Sequence, residues 1–350
     1  MLSYQVLDWG KPLEQRESLT PDPKGTEVII RVDACGVCHS DLHIWEGYFN
    51  LGNNERMMFS DRGITPPFTM GHEIVGKVES IGSAVHGISI GEKYIVYPWI
   101  GCGSCKACIR DENMVCVKPQ YIGAFCDGGY SDYVIVPHPK YLIDYSGIPT
   151  ELACTYACSG LTAYSALKKT EVKNESDSII IIGAGGLGLS ALKIAPNVVK
   201  GKVIVADIDA EKLNVARQSG VEETIDNSDP SAIEHIKEIT GGGAAAAIDF
   251  VGMPTTAQFG IDSIRNGGTL ISAGLFGGAL SLPLVLVMQR LLKIKGAKMG
   301  TLTEMLELIE LVKAGNIPPI PIETRPLNRA NEALTDLKKG DVSGRVVLKP

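Results

Sequence analysis

From Thr26 to about Tyr145 the apolar residues come in short runs broken by glycine and proline, at Glu27 to Val32, Glu73 to Ile81, Lys93 to Tyr97 and Tyr133 to Val136. Short runs with that punctuation predict a β-rich region of many strands. After Pro149 the texture changes. A long helical stretch over Glu151 to Lys169 leads into the apolar strand Ser178 to Ile182, and strands and helices then alternate. Further strands are expected at Lys202 to Ala206, Glu223 to Ile225, Ala246 to Val251, Thr269 to Ser272 and Leu292 to Gly296. Six strands with helices between most of them predict an α/β, doubly wound parallel sheet of the Rossmann kind. Beyond Gly300 come a helix (Thr303 to Ala314), an extended segment (Ile317 to Pro326), a second helix (Asn328 to Lys339) and a last strand near Arg345 to Leu348, a tail expected to return to the first domain. Two domains are therefore expected, one from residues 1–157 and 297–350, the other from 158–296.

Composition sharpens this picture. At 350 residues and 45% hydrophobic the chain can bury a large core, and its net charge of -7 gives no broad electrostatic surface for nucleic acid. The longest apolar run, Leu282 to Met288, is too short to cross a bilayer, and the first residues carry Asp8 and lack an apolar core, so a soluble, cytoplasmic protein is expected.

Cysteine adds chemistry. In Cys102-Gly-Ser-Cys105-Lys-Ala-Cys108, closed by Cys116, four thiols share one short lobe, about residues 98–120. Four thiolates form a closed tetrahedral cage suited to a structural zinc. The first three share the spacing of bacterial iron–sulfur ligands, but there the fourth follows sooner, and zinc is favoured; disulfide-paired or buried thiols are the other alternative.

The strand Ser178 to Ile182 runs straight into Gly183-Ala184-Gly185-Gly186-Leu187-Gly188 and an apolar helix. In that context the glycines permit the turn, the approach of a pyrophosphate and the packing of helix on strand. Asp207 ends the next strand, where a carboxylate accepts hydrogen bonds from the adenosine ribose and repels a 2′-phosphate, which predicts NAD over NADP. The alternative for Asp207 is a cap on the helix beginning near Ala210. Lys212, five residues on, is a weaker nucleotide candidate.

Three further motifs are Cys38-His39-Ser40-Asp41-Leu42-His43, Gly71-His72-Glu73 and Cys158-Ser-Gly-Leu-Thr-Ala-Tyr164. With the cysteine lobe and the glycine turn, they make the chain resemble the zinc-dependent medium-chain alcohol dehydrogenases over essentially its whole length. The resemblance implies a β-rich GroES-like catalytic domain beside the Rossmann domain, two zinc ions per subunit and NAD. It implies a catalytic zinc on Cys38, His72 and Cys158 with one position open to substrate, Cys154 being the nearest competitor to Cys158. Ser40 and His43 match a proton relay bridged by the cofactor ribose. Asp41 matches the carboxylate that orients His72, and Glu73 one that can approach the metal transiently. His39 and Arg345 match pyrophosphate contacts. Cys35, Cys126 and Cys154 match no site motif.

The implied activity is reversible oxidation of a primary or secondary alcohol to an aldehyde or ketone, with a polyol dehydrogenase or a zinc-free quinone or enoyl reductase as alternatives. Small members of the family are commonly homotetramers, so a homo-oligomer is expected. Between Gly47 and Pro66 the chain departs from compact members with an apolar stretch, Tyr48-Phe49 through Met57-Met58-Phe59, which is expected to be a loop. With Trp45, Phe49 and Trp99 near the pocket mouth, this suggests a roomy site for medium-length, cyclic or aromatic alcohols; the alternative is that the loop packs on a neighbouring subunit. Pro196 is expected to end or kink the helix after the glycine turn.

Overall fold

The strand Ser178–Ile182, with four consecutive isoleucines at 0–1% exposure, lies at the centre of a six-stranded sheet. Burying each such side chain contributes about 1.5–3 kcal/mol before entropy is charged against it. Parallel partners are Lys202–Asp207 on one side and Ala244–Asp249 on the other, followed outward by Glu223–Asp226 and by Ile264–Ser272 and Lys293–Gly296. Numbered along this segment, the order is 3-2-1-4-5-6, the doubly wound dinucleotide arrangement. The helix after the first strand spans Gly186–Ile194 and tightens into a 3₁₀ turn at Ala195–Asn197, where Pro196 withholds a backbone donor.

The computed structural model describes residues 1–342 and 344–350. They form two compact units. One comprises Met1–Tyr48, Met58–Leu161 and Thr301–Pro350; the other comprises Phe49–Met57 and Thr162–Gly300. The units meet in sequence at Leu161 and Gly300, and the turn carrying Cys158 lies in the first unit.

In the first unit a seven-stranded sheet runs Leu142–Asp144, Lys93–Val96, Glu73–Ile81, Val28–Gly36, Arg345–Lys349 and Ile322–Pro326, with Tyr133–Val136 also on Val28–Gly36. The C-terminal strand therefore rejoins the N-terminal half, pairing Val347 with Gly36. That pairing carries Arg345 to the end of the sheet where the Cys38 and His72 motifs lie.

One expectation is overturned. The stretch after Gly47 is a β-hairpin of Tyr48–Gly52 and Glu55–Met58, not a loop. Asn53 and Asn54 both take positive φ, 51° and 64°, and two left-handed residues make the primed turn whose twist matches paired strands. Asparagine tolerates that conformation better than most residues, which is why the hairpin closes without glycine at either position.

Candidate metal centres and cofactor site

The first centre begins at a helix N-terminus. Cys38 is extended, and the helix His39–Glu46 starts behind it with Asp41 at its third position reaching back to the Cys38 N–H at 2.9 Å. The same Asp41 oxygen accepts from the Tyr130 hydroxyl at 3.0 Å, while its other oxygen lies 3.0 Å from His72 Nδ1. Asp41 is fully buried and His72 is 1% exposed. With Nδ1 committed to Asp41, Nε2 is the histidine atom that faces the thiols.

Cys158 arrives from elsewhere. The long helical stretch after Pro149 runs as Thr150–Thr155, widens to a π-turn at Tyr156–Gly160 and resumes at Leu161–Thr170. Such a widened turn inserts one residue and re-aims the side chains within it, a recurrent feature of functional sites. It brings Cys158 Sγ to 3.8 Å from Cys38 Sγ, across 120 residues of sequence. The donor atoms of Cys38, His72 and Cys158 all lie within 4.8 Å of one another.

That spacing tests the fit of a metal. Zinc–sulfur bonds of about 2.3 Å in a tetrahedron put two sulfurs about 3.8 Å apart, whereas a disulfide needs about 2.05 Å. The observed separation suits two thiolates on one zinc. Electrostatics point the same way: the Cys38 thiol is lowered well below its ordinary value, first by its hydrogen bond with Cys158 and then by His72, against the effect of burial. Cys158 is raised as the partner in that hydrogen bond and by burial. Burial opposes a charge on His72, yet Asp41 holds its pKa well above the usual histidine value.

Beneath the triad, Glu73 is fully buried and pairs with the Arg345 guanidinium, and its other oxygen accepts from the Ser159 N–H at 3.2 Å. Burial drives the Glu73 carboxyl up to about 7, opposed by Arg345 and helped by Cys38. Ser40 Oγ lies 3.2 Å from both Cys38 Sγ and His72 Nε2. Burial lowers the His43 pKa below 6.5, with His39 adding to the effect; the two rings sit one helical turn apart at 5.6 Å.

The second centre is the cysteine lobe. The donor atoms of Cys102, Cys105, Cys108 and Cys116 lie within 4.8 Å of one another, with Cys105 Sγ 3.6 Å from Cys108 and 3.9 Å from Cys116. Backbone N–H groups of Cys102 and Lys118 point at Cys116 Sγ at 3.2 and 3.3 Å. Amides aimed at sulfur stabilise thiolate. The Ser104 N–H and hydroxyl likewise bring the Cys102 thiol down to about 6. The same fourfold spacing fits a closed zinc site and no disulfide.

In the second unit, Gly183 turns with φ 93°, and a Cβ there would lie 2.7 Å from Val251 Cγ2. A Cβ on Gly188 would lie 1.9 Å from the Gly183 carbonyl oxygen, so only glycine lets the helix start so close to its strand. A Cβ on Gly185 would meet nothing within 4 Å, and the backbone is open there to a phosphate at the helix N-terminus. Asp207 is half-buried at the end of the second strand and accepts the Ala184 N–H at 2.7 Å and the Asp209 N–H at 3.0 Å. The cap on the helix Ala210–Gln218 is Asp209, which accepts from Glu211 and Lys212. The capping alternative for Asp207 is thereby removed. Lys212 pairs loosely with Asp209 at 3.7 Å.

Residues 24–146 match the alcohol dehydrogenase GroES-like domain, and residues 186–314 match the zinc-binding dehydrogenase domain. An NAD-dependent alcohol dehydrogenase of Sulfurisphaera tokodaii is 35% identical over 100% of both chains. This chain belongs to the zinc-dependent medium-chain alcohol dehydrogenases. Among solved structures, the alcohol dehydrogenase of the hyperthermophilic archaeon Aeropyrum pernix superposes with a TM-score of 0.90 at 30% identity, covering 100% of both chains. An acetophenone reductase from Geotrichum candidum, in complex with NAD, gives 0.86 at 28% identity over 100% of this chain and 97% of its own.

Among the family's expected pocket residues, Trp99 lies against the metal triad. Its ring lies 5.2 Å from that of His72, and its indole N–H donates to the Ala157 carbonyl at 2.9 Å. Trp45 instead donates to the Lys11 carbonyl and lies under Lys338, 5.3 Å from its ring. Phe49 falls in the hairpin that belongs to the other unit. His39 opens the helix behind Cys38. Tyr130, Ser159 and the π-turn were not singled out by sequence reasoning. A signal for Tyr130 was present in Gly71, beside His72: it sits at φ 94°, and a Cβ there would lie 2.4 Å from the Tyr130 ring.

Proposed function

We propose that this member of the NAD-dependent alcohol dehydrogenases carries two zinc ions per subunit and oxidises medium-length, cyclic or aromatic alcohols. The observation that carries the reading is the convergence of two thiols and one imidazole, with a serine hydroxyl 3.2 Å from the cluster. Three protein ligands leave a tetrahedral zinc one position for substrate, whereas the four-cysteine lobe leaves none. Zinc and NAD, when bound, supply a Lewis acid for the alcohol oxygen and an acceptor for the hydrogen leaving carbon with its electron pair.

The chain's own residues do the rest. Cys38, His72 and Cys158 hold the metal, and Asp41 fixes the His72 tautomer from behind. Ser40 Oγ takes the hydroxyl proton, and His43 passes it outward. Burial lowers the His43 pKa, which favours the neutral ring that can accept a proton. Trp99 supplies an apolar wall at the cluster and excludes water from it. That wall, with the relationship to a reductase named for an aromatic ketone, supports the substrate class. Asp207 supports NAD over NADP, because a fixed carboxylate repels a 2′-phosphate.

An exposed apolar surface supports self-association. On the helix Leu284–Gln289 and just after it, Leu284, Met288 and Leu291 are 82%, 60% and 70% exposed, beside the free edge strand Lys293–Gly296. Contiguous surfaces of this kind mark protein interfaces, and a homo-oligomer, most simply a tetramer, is the expected assembly. No helix of the described residues is long and apolar enough to cross a membrane.

An alcohol panel with NAD, paired with metal counting, tests the proposal. Two zincs per chain and kcat/KM rising from ethanol to benzyl or cyclohexyl alcohol are expected. A steady fall with chain length would refute the substrate class, and a single zinc held only by the lobe would refute the centre.

A further inference from the structure

The Tyr48–Met58 hairpin leaves the first unit and returns to it, closed at its base by the Phe59 N–H on the Gly47 carbonyl at 2.9 Å. Its middle, Phe49–Met57, belongs to the nucleotide-binding unit. The contact there is backbone on backbone. A Cβ on Gly277 would lie 2.2 Å from the Asn50 carbonyl oxygen, a Cβ on Gly52 would lie 2.5 Å from the Ala279 nitrogen, and the Gly278 N–H donates to the Asn50 carbonyl at 3.3 Å. Side chains at Gly52 or Gly277 would force the hairpin away.

The segment it grips has a definite place in the sheet. Ala273–Gly278 follows the fifth strand at its carboxyl end, the end where ligands bind in open α/β sheets. It is hydrogen-bonded to the turn after the fourth strand, Phe276 N–H to Val251 O at 3.2 Å and Gly277 N–H to Gly252 O at 2.9 Å. Val251 in turn packs over the Gly183 turn. A continuous chain of contacts thus runs from the glycine turn through Val251 and Phe276 to the hairpin. With the adenosine ribose directed to Asp207 on the second strand, the opposite half of the dinucleotide lies toward the fourth and fifth strands. There Leu275 and Phe276 are 41% and 51% exposed, two apolar side chains of a kind that packs on a planar ring.

We propose that the hairpin is a positioning element for the nicotinamide half of the cofactor, clasping Ala273–Gly278 so that Leu275 and Phe276 wall that end of the site. The inference rests on the dinucleotide reading above. Asn50, Gly52 and Gly277 act through the segment they hold and touch no reacting atom.

The experiment compares the binding of NADH with that of ADP-ribose, which carries the same adenosine and pyrophosphate but no nicotinamide. In Gly277→Ala, NADH affinity is expected to fall about tenfold while ADP-ribose stays within about twofold. Replacing Phe49–Met57 by a short glycine linker, which adds no side chain and removes Asn50 and with it the clasp, should reproduce that split, as should the double change Leu275→Ala and Phe276→Ala. Gly241→Ala controls for backbone strain, since Gly241 has φ 68° with nothing within 4 Å of its Cβ position, and it should change neither affinity. Equal weakening of both ligands, or no change in the linker variant, would overturn the clasp. Wild-type protein that bound neither ligand would instead overturn the dinucleotide reading itself.

Discussion

Asp41 shows how much one side chain can settle. Its carboxylate closes the helix start at Cys38, accepts the Tyr130 hydroxyl and faces His72 Nδ1, all while fully buried. A buried carboxylate is tolerable only when it has partners, and two of these three, Cys38 and His72, belong to the three-residue metal set. Asp41→Asn keeps the shape and removes the charge that favours the correct imidazole tautomer. Zinc affinity at the three-ligand centre is expected to fall about 10–100-fold, measured by competition with a chromogenic chelator, while the lobe zinc stays. Unchanged affinity at both centres would count against this role. The sequence placed Asp41 three residues after Cys38, but it could not show that Tyr130 shares the load, since that contact spans 89 residues.

At the scale of elements, the glycine turn and the segment after Tyr141 make separate predictions. The helix Gly186–Ile194 can begin against its strand only because Gly188 has no side chain. Gly188→Ala should destabilise the nucleotide-binding unit by about 1–3 kcal/mol and abolish detectable NADH fluorescence enhancement. Normal enhancement with unchanged Tm would refute the packing argument. Elsewhere Lys313, on the helix Leu302–Lys313, donates to Asp144 at 2.6 Å and, with Ser146, holds that carboxyl down to about 2. Because the folded pKa lies below the unfolded one, this contribution is present above about pH 4 and is lost as pH falls toward 2. Asp144 is half exposed, so solvent limits the contribution to under about 1 kcal/mol. Lys313→Met should lower stability at pH 7 by that amount and leave it unchanged near pH 2, as followed by urea unfolding; an equal loss at both would show packing rather than charge.

For the whole molecule, the exposed helix Leu284–Gln289 and the free sheet edge beside it predict assembly. The double change Leu284→Lys and Leu291→Glu puts charge into both ends of that surface. Sedimentation should shift from an oligomer to smaller species, with NADH binding per chain retained. A wild-type chain that sediments as a monomer would remove the prediction. At this scale the sequence was informative about one thing: six strands alternating with helices, each bounded by turns, admit few arrangements, and the observed 3-2-1-4-5-6 order is the commonest for a dinucleotide site.

By itself the sequence determined the features set by neighbours along the chain. Ligand spacing in the cysteine lobe, the glycine turn between strand and helix, and the stop at Pro196 all depend on a few consecutive residues. What the tertiary structure decided is long-range closure: Cys158 re-aimed onto Cys38 by a π-turn, Arg345 delivered to Glu73 by the C-terminal strand, and the apolar stretch after Gly47 folded as a hairpin whose middle belongs to the second unit. Hydrophobic periodicity says that a segment is buried but not against what. Partner choice across a hundred residues is set by packing and by the demand that buried polar groups find one another, and neither is written in local spacing.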